Sequence, residues 1–179
     1  WAALCGLGWI GKTTLLIHPK LGSYTFIGVV FLNQPLDRAV RTQPNLCGHC
    51  SACLQACPTR AFEAPGVLNS KKCISYLTLE KRGPWNQEEV GYVSKSNFVA
   101  GCDLCQEVCP FNVKPSRESI RVDGDDATAA RISWQSLEAE TAEEFRTRTK
   151  NSSLSRVKFE NFKRNWQTLQ FYQSANRKP

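Results

Sequence analysis

The hydrophobic pattern changes character three times along the chain. Residues 1–45 carry short apolar runs broken by glycine and proline. Trp1–Leu7 is compact and apolar, with a glycine turn at Gly6, Gly8 and Gly11. Thr13–Ile17 and Tyr24–Leu32 are rich in β-branched and aromatic residues, which predicts strands, the second of them buried. Pro19–Gly22 is the expected turn between them, and Pro35 and Pro44 bracket a loop. In residues 46–116 cysteines replace the apolar runs, and short helical turns are expected after each C-x2-C group. Asn69 or Ser70 predicts the N-cap of a helix through Cys73 to about Lys81, with Gly83-Pro84 as its stop. A second helix is expected over Gln87–Val93. Residues 117–133, with Asp123-Gly124-Asp125-Asp126, read as a linker or surface loop. From Trp134 the pattern is helical. Trp134, Leu137 and Phe145 line one segment, and Phe159, Phe162, Trp166, Leu169 and Phe171 are spaced for an amphipathic helix. A stripe of that kind is usually core rather than a platform for stacking bases. The expected fold class is α+β, in three segments: 1–45, 46–116 and 117–179.

The cysteines carry the chemistry. Eight of the nine fall into two linked motifs. The first is Cys47-Gly-His-Cys50-Ser-Ala-Cys53-Leu-Gln-Ala-Cys57-Pro58, the C-x2-C-x2-C-x3-C-P spacing of two-cluster ferredoxins, whose fourth cysteine ligates the other 4Fe-4S cluster. The second is Cys102-Asp-Leu-Cys105-Gln-Glu-Val-Cys109-Pro110, one thiolate short of a full run, and Cys73 can supply the missing one. The ferredoxin rule puts Cys47, Cys50, Cys53 and Cys109 on one cluster and Cys57, Cys73, Cys102 and Cys105 on the other. Structural zinc prefers two separated pairs, and remains an alternative for one site. The C-P punctuation argues for cluster ligation in a reducing compartment rather than for disulfides. His49 reads as a surface residue, and Cys5 as a small buried hydrophobe.

A second motif competes for attention. Gly6-Leu-Gly-Trp-Ile-Gly11-Lys12-Thr13 matches G-x4-G-K-[ST], which cradles phosphates when a helix follows it. Here the exit, Thr13-Thr-Leu-Leu-Ile-His-Pro19, reads as a strand. The glycines therefore mark close backbone approach, and Lys12 is either a surface lysine or a contact to a phosphate or a polar cofactor edge.

Charge adds a partner. The chain has 179 residues and a formal net charge of +7. Residues 146–179 hold nine Lys/Arg and one acid, Glu160. That is either a solvated helical face or a surface for an anionic partner. No apolar stretch is long enough to span a bilayer. The sequence contains no methionine, and the expectation is a fragment lacking an N-terminal part.

Four segments carry a resemblance: Gly6-Leu-Gly-Trp-Ile-Gly-Lys12, the first cysteine run, Cys73-Ile-Ser-Tyr-Leu-Thr78 and Gly101-Cys-Asp-Leu-Cys-Gln-Glu-Val-Cys-Pro110. In this order they resemble the epoxyqueuosine reductase family, closely over residues 1–112 and more loosely through Trp134–Trp166, including Ser153-Leu-Ser-Arg156. The resemblance implies an oxidoreductase with two 4Fe-4S clusters and a cobalamin, which reduces epoxyqueuosine to queuosine in the tRNA anticodon loop. It implies that residues 1–45 end a cobalamin-binding α/β domain and that 46–116 form a ferredoxin-like two-cluster module. It implies cluster ligation by the eight motif cysteines, corrin contacts from Lys12, Ser23, Ser75, Cys102 and Asp103, and tRNA contacts from Arg156 and Lys158. The implied partners are tRNA carrying epoxyqueuosine and an external electron donor. The implied setting is a cytoplasmic monomer away from membranes. The family's catalytic aspartate lies N-terminal to the matching region, so no residue here takes that role, and the fragment alone is expected to be inactive. The span from Cys73 to Cys102 is also slightly longer than the family pattern.

Two other readings stay open. A ferredoxin-type electron carrier explains the cysteines but leaves residues 1–45 and the basic tail unused. A corrinoid reductive dehalogenase shares the cofactors but does not explain the Gly6–Lys12 and Cys73–Thr78 segments.

Overall fold

The computed structural model describes residues 1–35, 41–113 and 134–176. Helices and short strands are mixed, as an α+β fold requires. The chain divides into two units, the first built on Trp1–Asn69 and the segment from Asp103, the second on Ser70–Cys102 and the C-terminal segment.

In the first unit, β1 (Trp9–Ile10) and β2 (Leu16–Ile17) form an antiparallel hairpin pairing Trp9 with Ile17 and Ile10 with Leu16. The hairpin is tight because two of its residues lack side chains. A Cβ on Gly8 would stand 2.1 Å from the Ile17 carbonyl oxygen, and one on Gly11 would stand 2.4 Å from Ile17 Cδ1. A strand thus follows Lys12 where a phosphate loop would need a helix, and the G-x4-G-K-T match is a β-turn motif. Next, Gly22 adopts φ +72 and lies against Asn112.

Residues 24–32 depart from expectation. They form no strand, and their apolar side chains are exposed, Phe26 and Phe31 almost completely. A buried strand needs a neighbour to take its hydrogen bonds, and the described residues supply none. Beyond them, α1 (Ala52–Ala56) packs against α4 (Leu104–Glu107), which leads to α5 (Pro110–Val113). Between these, β3 (Phe62–Ala64) and β4 (Val67–Leu68) form a second hairpin. The core of this unit is Trp9, Ile17 and Cys109, backed by Cys47 and Phe111.

The second unit is helical. The helix predicted from Asn69 or Ser70 begins instead as a 3-10 turn, Ser70–Lys72, and continues as α2 (Ile74–Leu79) from Cys73. α3 (Gln87–Val93) has the predicted bounds, set by a capping box between Asn86 and Glu89. α6 (Trp134–Ala139), α7 (Ala142–Thr149) and α8 (Phe159–Asn176) follow. Phe162 and Trp166 of α8 bury against Leu137, Phe145 and Val157, and Leu169 packs on Leu77 and Val93.

Two adjacent residues of α8 fasten α2. Asn165 is fully buried and donates to the carbonyls of Thr78 (2.8 Å) and Val99 (2.9 Å). Arg164 donates to the carbonyls of Leu77, Lys81 and Gly83, which closes the C-terminal end of α2. Its guanidinium lies 4.0 Å from the Trp85 ring centroid. Burial pulls its pKa down to about 10, partly offset by Glu89, so it stays charged at neutral pH. The predicted linker at 117–133, with Asp123–Asp126, lies outside the described residues.

Candidate metal centre

The first cysteine loop owes its shape to a left-handed residue. Gly48 has φ +48 and turns the chain just after Cys47, after which the Cys50 amide donates to the Cys47 carbonyl (3.0 Å). Asn45 Oδ1 accepts the Cys47 amide (2.9 Å). Cys53 lies in the first turn of α1, and Cys109 follows α4 immediately before Pro110, 8% exposed. These elements bring Cys47, Cys50, Cys53 and Cys109 around one mainly apolar cavity of about 180 Å³. Ile17, Phe111 and Lys12 complete much of its wall.

Of these thiols, Cys53 resists ionising. Burial pushes the Cys53 thiol up; the Leu54 amide pulls it down, while Cys47, Cys109 and Cys50 push it up again. Iron reverses that balance, because it binds thiolates. Among the described residues, no three His, Cys, Asp or Glu side chains close on a single ion. The four thiols surround a space, which is how cysteines hold a polynuclear cluster.

The second predicted set is distributed differently. Cys57, half-buried at the end of α1, accepts the Ala61 amide (3.3 Å) and lies 3.4 Å from the Thr59 hydroxyl. Cys105 is half-buried on α4. Cys73 stands at the N-cap of α2, and Cys102 precedes α4 by two residues. Cys57 and Cys105 belong to the first unit, Cys73 and Cys102 to the second.

The residues assigned to the corrin are placed as follows. Lys12 Nζ donates to the carbonyls of Gly48 (2.7 Å) and Cys50 (2.8 Å), inside the first cysteine loop. The Ser23 hydroxyl donates to Gln106 Oε1 (2.9 Å) and accepts from Asn112 Nδ2 (2.9 Å). Both side chains are thus committed to protein partners. Ser75 is half-buried on α2, and Asp103, exposed at the N-cap of α4, accepts from Gln106 Nε2 (2.6 Å). Cys5 is exposed, against the buried placement expected of it, because Trp1–Leu7 curls into turns with few neighbours. His49 is exposed as expected.

In the second unit, Arg156 and Lys158 line a cavity of about 610 Å³ together with Arg146, Lys150, Phe145 and Phe159. Arg156 pairs with Glu80 at 3.1 Å, both well exposed. Sequence reasoning passed over Arg146, Lys150 and Trp9. The first two lie at the start of the basic tail already noted. The signal for Trp9 was an aromatic between two close-packing glycines.

Residues 46–112 match the 4Fe-4S double cluster binding domain family, which with the four-thiol cavity marks this segment as a module of the two-cluster iron–sulfur class. Over nearly its whole length the chain is, further, a relative of the epoxyqueuosine reductases. It is 37% identical over 170 residues to the enzyme of Gloeobacter violaceus, covering 92% of this chain and 52% of the relative. To that of Pseudomonas aeruginosa it is 41% identical over 166 residues, covering 92% and 45%. A crystal structure of epoxyqueuosine reductase with a tRNA-Tyr epoxyqueuosine-modified stem loop superposes with a TM-score of 0.80 at 31% identity, over 98% of this chain and 46% of that one. The chain spans about half the length of these relatives.

Proposed function

We propose that this chain is the cluster-bearing part of an epoxyqueuosine reductase, an oxidoreductase that converts epoxyqueuosine to queuosine in the tRNA anticodon loop. The observation that carries this is the convergence of Cys47, Cys50, Cys53 and Cys109 on one cavity in a chain whose relatives bear that activity. Reducing an epoxide to an alkene consumes two electrons and two protons and releases water. Bound 4Fe-4S clusters supply one-electron steps between an external donor and the reacting centre.

This chain's own residues hold and shelter those groups. Cys47, Cys50, Cys53 and Cys109 ligate the first cluster, and Cys57, Cys73, Cys102 and Cys105 the second. Ile17 and Phe111 keep the first site apolar. Residues 1–45 end a cobalamin-binding domain, 46–116 form the cluster module and 117–179 the linker and helical tail. Cobalamin rests on the family resemblance, with Lys12, Ser23, Ser75, Cys102 and Asp103 as its contacts. Arg156 and Lys158, with Arg146 and Lys150, face the tRNA, and the setting is the cytoplasm. Among the described residues, no helix is long and apolar enough to cross a membrane.

The test is iron and acid-labile sulfide per chain after anaerobic reconstitution, with electron paramagnetic resonance of the reduced protein. The expected result is about eight irons and two 4Fe-4S signals. Cys57→Ala is expected to remove the signal that also needs Cys102 and to keep the one built on Cys47. Both signals surviving that substitution would overturn the ligand partition. Four irons or fewer, or bound zinc, would overturn the two-cluster reading. Reduction of epoxyqueuosine-containing tRNA by the full-length parent, and not of a chlorinated organic, fixes the substrate.

A further inference from the structure

We infer that the β1–β2 hairpin sets the reduction potential of the first cluster, through an indole N–H placed on one of its thiolates and an ammonium placed on its ligand loop. The inference rests on the proposal that Cys47, Cys50, Cys53 and Cys109 hold that cluster.

Trp9 is 3% exposed and packed edge-on against Phe111, ring centroids 4.8 Å apart. Its ring is fixed, and its Nε1–H points at Cys47 Sγ, 3.4 Å away. A buried indole N–H takes a partner, and here the partner is a ligand sulfur. With iron bound, that sulfur is a thiolate and a stronger acceptor than a thiol. Three residues on, Lys12 spans from the hairpin to the loop and holds two carbonyls, of Gly48 and Cys50, at 2.7 and 2.8 Å. It fixes the loop that presents Cys47 and Cys50, and its positive charge forms part of the cavity wall. The two donors reach the same loop because Gly8 and Gly11 let the hairpin strands close.

Reduction adds a negative charge to the cluster. Hydrogen bonds to its sulfurs and nearby positive charge stabilise the reduced form, which raises the potential. Trp9 and Lys12 therefore act as positioning and potential-setting residues that do not touch the substrate.

The test is a redox titration, followed by electron paramagnetic resonance, of the anaerobically reconstituted chain with Trp9→Phe, Lys12→Met and Lys12→Arg. Phenylalanine keeps an aromatic ring beside Phe111 and deletes the N–H together with the five-membered ring, so iron and sulfide content are measured alongside the potential. The expected outcome for Trp9→Phe is unchanged iron and sulfide, one reduction wave moved to lower potential, and the other wave unmoved. The expected size is about threefold to tenfold less reduced cluster at a fixed potential, or ~30–60 mV at 59 mV per decade. Lys12→Met is expected to lower the same wave, and Lys12→Arg to restore it. Full iron with both waves unmoved in Trp9→Phe and Lys12→Met would overturn the inference, as would equal movement of both waves. Failure of the underlying reading looks different: Cys47→Ala would then leave the iron content of the chain unchanged.

Discussion

Glu89 is a carboxylate held charged where burial opposes charge. It is 8% exposed, and burial pushes its pKa up. The Asn86 amide at 2.9 Å and Lys81 at 3.1 Å outweigh that, with help from Arg164, and hold the group below the ordinary value of 4.5. A depressed carboxyl pKa stabilises the fold fully above the ordinary value, and that contribution is lost as pH falls through the folded value. Urea midpoints measured from neutral pH downward are therefore expected to fall below about pH 4.5, and Glu89→Gln to flatten that part of the profile. An unchanged profile in Glu89→Gln would remove Glu89 from the acid transition. Legibility at this scale follows the chemistry. The cysteine runs were legible as a candidate ligand set because ligation restricts both residue type and spacing. Trp9 was not, because a single N–H on a sulfur has no spacing rule. Lys12 drew notice, but its partners lie 36 and 38 residues away and only folding names them. Cys5 misled because cysteines are often buried, while this one sits in an exposed turn.

Elements were legible where their signals are local. Asn86 and Glu89 cap α3 within one turn, and the expected bounds hold. On α8, Phe162, Trp166 and Leu169 share one face at helical spacing, whereas Phe171 is about half a turn of the wheel away and is 68% exposed. Strands were less legible, because a strand exists only through its partner. Residues 24–32 have the composition of a strand and no neighbour among the described residues; Trp9–Ile10 is two residues long and pairs because glycine permits close approach. That makes Gly8 the weakest link of its element. Its substitution by alanine drives a methyl into the Ile17 carbonyl, a contact with backbone that no side-chain rotation relieves. The strands must separate, and Trp9 and Lys12 then leave the Cys47 loop. Gly8→Ala is expected to bind about four irons instead of about eight after anaerobic reconstitution, with the signal of the Cys57 cluster retained. Full iron in Gly8→Ala would show that the loop holds its cluster without the hairpin.

For the molecule as a whole, the excess of positive charge resolves into residues with different duties. Of the late basic residues, Arg164 is turned inward onto the α2 carbonyls, and Arg148 is bound by Glu140 at 2.6 Å. Arg156 is partly neutralised by Glu80, a solvent-exposed pair of small energy. Arg146, Lys150 and Lys158 are exposed along one cavity wall. The net charge of +7 therefore overstates the surface open to an anion, and the tail is a cluster of cations rather than a uniform field. If tRNA is the partner, binding follows counterion release, and each lost phosphate contact reduces the salt slope by about one. Lys150→Glu with Lys158→Glu is expected to weaken binding of an anticodon stem loop and to flatten the plot of log affinity against log salt. Arg164→Gln also removes a positive charge, one unit against four in the double variant, but opens the end of α2, so it is expected to lower the melting temperature and leave the salt slope unchanged. Fluorescence anisotropy at several salt concentrations, beside thermal melts, separates the two. A wild-type slope in the double lysine variant would take this cavity out of the tRNA interface while leaving the cluster chemistry of the first unit untouched.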